Sequence, residues 1–228
     1  MMAELEVHSG LNTGTQDAAH DIAEAVATSE PSSGAALDLL RIVRINEEIK
    51  RVVSVAFKIN IMALNAIFLA KRAGNSALGF GVLSNELRVF SKDLREGMLS
   101  LNSQIHELVS EVSLSLQDSR NDKLLAETAK SRSFPALREV LGRREARHAE
   151  RDERIAVQRR RLRIAVDDAA RLVELGGVLA KSAKIEAAYG AGFASSLGQV
   201  SGEFDGVVEE IRSSLDNLRR SSFFGGSA

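Results

Sequence analysis

The chain has 228 residues, 44% apolar and 4% aromatic, with two prolines, no tryptophan and no cysteine. Its formal net charge of −1 hides a division: residues 1–40 contain no Lys or Arg, so the remainder is net basic. Without cysteine, disulfides, thiolate metal sites and cysteine nucleophiles are excluded, and a composition rich in helix formers and poor in breakers favours helix.

Residues 1–34 combine scattered carboxylates with Gly10, Gly14, Pro31 and Gly34. They read as a flexible acidic arm, with Asp17 to Thr28 as a short helical candidate. No basic stretch followed by an apolar core marks a secretory signal, and with the missing cysteines this sets the expectation of a cytoplasmic protein.

From Ala35 a heptad pattern takes over. Ile45, Ile49, Val52, Ala56, Ile59, Ala63, Ala66, Ala70 and Ala73 step by four and three, the spacing of a helix seam. The segment from Val52 to Ala70 has the length of a transmembrane helix. Lys58, Asn60 and Asn65 inside it argue against a span. Gly74-Asn75-Ser76 predicts a helix stop. A second seam follows through Leu83, Leu87, Phe90, Leu94, Gly97, Leu101, Ile105, Leu108 and Val112, so residues 35–120 predict an antiparallel helical hairpin.

Asp118 to Pro135 interrupts the apolar pattern, and residues 121–135 read as a frayed end and connection. A third helix is expected from Ala136 to Tyr189-Gly190. A fourth carries Leu197, Val200, Phe204, Val207, Ile211, Leu215 and Leu218. Residues 136–221 thus predict a second hairpin, and residues 222–228 a loose tail. A shift of 117 positions overlays the halves: Ala66 on Ala183, Ala70 on Ala187, Gly74 on Ala191, and Leu83-Ser84-Asn85-Glu86-Leu87 on Val200-Ser201-Gly202-Glu203-Phe204. Two hairpins with narrow apolar faces need each other to bury a core. The expected fold is all-α: an elongated antiparallel four-helix bundle, coiled-coil in character.

Residues 55–94 carry a specific motif. Ala56-Phe57, Asn60, Met62-Ala63-Leu64-Asn65-Ala66, Ala70, Arg72-Ala73-Gly74, Gly79-Phe80, Val82, Glu86 and Arg88 keep the spacing of the cytoplasmic hairpin tip of methyl-accepting chemotaxis receptors, which this stretch resembles. Residues 173–211 resemble it weakly. In that family two chains each give one hairpin to a four-helix dimer, and the tip binds other receptors, a coupling adaptor and a histidine kinase. The resemblance implies a non-enzymatic signalling or scaffold protein with protein partners of that kind and no cofactor. Two hairpins in one chain imply a monomer that imitates a receptor dimer.

The tip positions that the resemblance marks for partner contact are Phe57, Asn60, Leu64, Asn65, Phe68, Leu69, Arg72, Asn75, Leu78, Val82, Glu186 and Tyr189. Several depart from the family pattern. Lys58 and Ile59 stand where it has glutamine and threonine, and Leu69 where it has a glutamate. Asn75 replaces the glutamate at the turn. These departures put ordinary kinase control in doubt. Glu209-Glu210, flanked by small residues, resembles a methylation site, although it lies only about 30 Å from the turn. A solvated helix face is the plainer reading.

Other chemistry is sparse. His8, His20, His106 and His148 lack metal-ligand spacing and read as surface residues; no phosphate loop or nucleophile context occurs. Arginines from Arg143 to Arg163 are interleaved with Glu145, Glu150, Asp152 and Glu153, which predicts intrahelical ion pairs on a solvated face. The second reading of the chain is a basic helical protein that binds nucleic acid or an anionic membrane through Arg143–Arg163. A further option is that the acidic arm folds back on that stretch.

Overall fold

The computed structural model describes residues 34–131 and 135–224. The acidic arm, its helical candidate at Asp17 to Thr28, His8 and His20 lie outside the described residues, as do residues 225–228. The chain is all-α, and among the described residues there is no strand. Four helices follow in order: α1 (Gly34–Ala73), α2 (Leu78–Ser131), α3 (Pro135–Ala188) and α4 (Ala194–Arg219). A 3₁₀ turn, Gly74–Ala77, joins α1 to α2, and another, Ala191–Phe193, precedes α4.

The chain divides into two compact units. One comprises Ile45–Ile105 with Arg159–Ala228, and the other Met1–Arg44 with His106–Gln158. The first draws on all four helices. Its α1 seam is buried as the heptads require: Ile45, Ile49, Val52, Ala56, Ile59, Ala63 and Ala66 are all at most 2% exposed. The apolar stretch Val52 to Ala70 therefore spends these side chains on protein packing. By length and composition alone, one 18-residue helical window within Leu37–Glu127 could cross a membrane.

On α2 the seam is displaced at two places from the expected one. Ser84 and Met98 are fully buried, while Leu83 is half-buried and Gly97 exposed. Ser84 enters the core because its Oγ donates to the Phe80 carbonyl at 2.7 Å, so its hydroxyl needs no outside partner. Opposite, α4 buries Leu197, Phe204, Val208, Ile211, Leu215 and Leu218.

Small residues set the helix spacings. A Cβ on Gly81 would touch the Ala70 Cβ at 3.4 Å, and Gly176 of α3 lies directly against the Phe90 ring of α2. The tail departs from the loose one expected. Phe223 is 1% exposed and Phe224 is buried; their rings meet edge to face at 5.4 Å. The Arg159 guanidinium covers Phe223 at 4.7 Å, a cation–π contact.

In the other unit Leu39, Ile42, Leu108, Val112 and Ile155 form a smaller core. The frayed end and connection expected from residue 121 start later, because α2 stays helical to Ser131. The apolar stripe stops before Asp118 because an ionic one replaces it. Arg151 pairs with Asp118 and, through Nε, with Glu111 at 3.7 Å. Arg154 reaches Glu111 at 3.6 Å, Arg144 reaches Asp122 at 2.6 Å, and the His148 ring contacts Asp122. Glu111, Asp118 and Asp122 share one face of α2.

The arginine run accordingly differs from the expected intrahelical ladder. Arg143 does pair within its helix, with Glu139 at 3.0 Å. Arg144, Arg151 and Arg154 instead bridge α3 to α2, and His148 is half-buried in the same ladder rather than on the surface. The interleaved acids Glu145, Glu150, Asp152 and Glu153 stand exposed.

The two turns share an unusual backbone. Gly74 has φ +67° and Ala191 has φ +47°, at positions 117 residues apart, which the repeat expected from the sequence would pair. A side chain pays for this left-handed region and glycine does not. A Cβ on Gly74 would meet nothing within 4 Å, so its cost is purely conformational. Urea denaturation should show Gly74→Ala destabilising by about 1 kcal/mol and Ala191→Gly stabilising by about 0.5–1 kcal/mol. Equal and opposite outcomes, with alanine favoured at residue 74, would contradict the backbone described.

Candidate functional site

Exposed apolar side chains line both helices that lead to the turn between α1 and α2. Phe57 (47% exposed), Ile61, Phe68 (64%), Leu78 (66%) and Val82 all reach solvent. On α1, Phe57, Ile61, Leu64, Phe68 and Arg72 recur every three or four residues, hence on one face. On α2, Leu78, Val82, Asn85, Val89 and Lys92 do the same. The seam residues between them fill the core, so this second stripe has no interior to enter.

The stripes meet in a groove of about 350 Å³ lined by Phe57 and Asn60 from α1 and by Asn85, Arg88, Val89, Lys92 and Arg95 from α2, among others. One wall is therefore apolar and the other cationic. Lys92 has only a loose ion pair with Glu96 at 3.8 Å, and Arg88 and Arg95 have no acidic partner among the described residues.

The sequence-predicted tip residues fall into three groups. Phe57, Asn65, Phe68, Arg72, Asn75, Leu78, Val82 and Tyr189 are exposed. Asn60, Leu64 and Leu69 are half-buried on the flank of α1. Glu186 is held differently: its carboxylate lies over Gly79, where a Cβ would come within 2.3 Å of Oε2. It packs on the first turn rather than projecting outward. Tyr189, 72% exposed, sits where α3 ends, and the turn is closed by Phe193 N–H donating to the Gly190 carbonyl at 2.9 Å.

Glu209 and Glu210 are exposed on α4, and Glu209 pairs with Arg212 at 3.1 Å. Both sit on a solvated helix face. No group of three or more His, Asp or Glu residues that could hold a metal occurs among the described residues.

Sequence reasoning passed over Ile61, Val89 and the cationic wall. The available signal was the spacing of Arg88, Lys92 and Arg95, at i, i+4 and i+7. Charged helix positions ordinarily face solvent alone, which is why the pattern carried no weight without the groove beside it. No family model, curated protein or solved structure matches this chain.

Proposed function

We propose that the protein is a non-enzymatic, chemoreceptor-like signalling or scaffold protein of the bacterial cytoplasm. In this reading α1–α2 and α3–α4 are two antiparallel hairpins that complete one four-helix bundle in a single chain. Chemoreceptor tips, the coupling adaptor or the histidine kinase of a chemotaxis array bind at the turns. The observation that carries the reading is the unburied apolar stripe of Phe57, Phe68, Leu78 and Val82, located within the segment whose motif resembles the receptor tip. Large rings clustered at a surface, outside a complete core, are characteristic of protein contacts.

The matched left-handed turns at Gly74 and Ala191, and the matched buried pairs Ser84 with Ser201 and Leu87 with Phe204, support a duplicated hairpin. The reading through Arg143–Arg163 loses ground, because Arg144, Arg151 and Arg154 are engaged by α2 carboxylates. Arg143, Arg147, Arg160, Arg161 and Arg163 remain exposed along it.

The test is binding of purified adaptor and kinase to the full chain and to Phe57→Ser/Phe68→Ser. Loss of at least tenfold in affinity is expected, since each buried anchor is worth about 2 kcal/mol or more, with weak dependence on salt. Binding that survives the double substitution would refute the tip as the contact. Binding to an oligonucleotide or anionic vesicle that falls steeply with salt would favour the arginine stretch instead.

A further inference from the structure

Helix α3 carries two apolar seams. The inner one, which includes Val166, Ala169, Val173, Ala180, Ala183 and Ala187, is buried, and Gly176 lies in it against the Phe90 ring of α2. The outer one is Leu175, Val178, Ser182, Ile185 and Tyr189, at alternating steps of three and four, the spacing of a coiled-coil seam. Each outer position follows an inner one by two residues, about 200° around the helix, so the seams lie on nearly opposite sides. Leu175, Val178, Ile185 and Tyr189 are each more than half exposed. This face of α3 is not apolar throughout. In the two heptads before Leu175 the same positions hold Arg161, Ile164, Asp168 and Arg171. A solvated face gains nothing from four large apolar side chains in register, whereas a helix packed on it would bury them.

We propose that the outer seam of α3 is the contact between two copies of this chain, packed antiparallel about a two-fold axis. A second copy is the occupant because the seam is complementary to itself in one register. With Leu175 set against Ile185 of the second copy, Val178 meets Ser182, Arg171 meets Tyr189, and every contact occurs twice. The larger Val178 faces the small Ser182, and the Arg171 guanidinium stacks on the Tyr189 ring at each end. Glu174 and Lys181 are exposed on one flank of the seam, seven residues apart. In this register Glu174 of each copy faces Lys181 of the other, an ion pair of the kind that sets orientation in coiled coils. Parallel packing would set Arg171 against its own copy. Its ion pair would join Lys181 to Glu186, whose carboxylate already lies over Gly79. All these α3 positions belong to one compact unit, the one that contains residues 159–228.

This goes beyond the proposed function and does not rest on it. The seam is on α3, and dimerisation is read with no array component present.

Sedimentation velocity of the full-length protein at rising concentration should show a reversible monomer–dimer equilibrium, weak because the contact is short. Val178→Glu/Ile185→Glu should leave only monomer. Both side chains are exposed, so its helical content and unfolding midpoint should match the native chain. Phe57→Ser/Phe68→Ser, on α1, should dimerise as the native chain does. Glu174→Lys and Lys181→Glu should each weaken the dimer by roughly tenfold, and the two together should restore it. The chain lacks cysteine, so oxidation reads the register. An equimolar mixture of Leu175→Cys and Ile185→Cys chains should form the mixed disulfide. Neither chain alone should cross-link, since like positions lie about 15 Å apart along an antiparallel seam. A native chain that stays monomeric would overturn the proposal. So would a dimer that survives Val178→Glu/Ile185→Glu, one lost in Phe57→Ser/Phe68→Ser, or Leu175→Cys chains that cross-link with themselves.

Discussion

Phe204→Ala should destabilise the unit formed by residues 45–105 and 159–228 by about 3–5 kcal/mol, the cost of removing a buried ring and leaving its cavity. Phe204 is fully buried on α4, with Ser201, Val207 and Val208 buried beside it. The proposed repeat pairs it with Leu87, 117 residues earlier and also fully buried. A core that accepts leucine at one of two related positions should accept it at the other more readily than alanine. Phe204→Leu should therefore cost about a third as much. Urea unfolding followed by far-ultraviolet circular dichroism measures both. Hydrogen exchange read by region should show protection falling across residues 45–105 and 159–224. An alanine variant within about 0.5 kcal/mol of the native chain would mean that α4 does not contribute this ring to the core.

The seams show what periodicity can and cannot reveal. The α1 stripe from Ile45 to Ala70 was legible because every member is apolar and the spacing never breaks. On α2 the reading slipped from Ser84 to Leu83 and from Met98 to Gly97. Hydrophobicity alone ranks Leu above Ser, and only the Ser84 hydroxyl bond to the Phe80 carbonyl makes the serine a small core residue. The end of α2 was misplaced for a related reason. Asp118 and Asp122 look like breakers when apolar spacing is the signal, yet they are half-buried partners of Arg151 and Arg144. The tail rings Phe223 and Phe224 have no periodic context, and Arg159, the side chain that covers Phe223, is 64 positions away.

The candidate site was legible to a different extent. Phe57, Leu64 and Phe68 lie beside the seam, so a sequence reader can see that they share a face. Whether that face is covered depends on how many helices surround α1, which no local pattern encodes. The cationic wall was invisible for the same reason: Arg88, Lys92 and Arg95 gain meaning only beside Phe57 and Val89. Glu186 shows the reverse error. A carboxylate near a tip suggests an outward contact, but its place over Gly79 makes it part of the contact between α3 and the first turn.

Gly176→Ala should destabilise by about 1–3 kcal/mol, the range for overpacking a filled core, although alanine is intrinsically the better helix former by about 1 kcal/mol. The added Cβ would lie 2.5 Å from Cζ and 2.8 Å from Cε1 and Cε2 of Phe90. The ring cannot swing away freely, because Phe90 is only 3% exposed. Leucine at residue 90 lacks those distal atoms, so in a Phe90→Leu background Gly176→Ala should become neutral or stabilising. The double-mutant cycle should return a coupling energy of about 1–3 kcal/mol, as for residues in contact. The neighbouring glycine is the control. A Cβ on Gly177 would meet the Arg212 Nη2 at 3.0 Å, and that atom is the free end of a flexible side chain. Gly177→Ala should therefore cost little or stabilise through helix propensity alone. If both alanines behave alike, or if the coupling falls below about 0.5 kcal/mol, then the close approach of α2 to α3 at Phe90 does not explain why a glycine stands at residue 176.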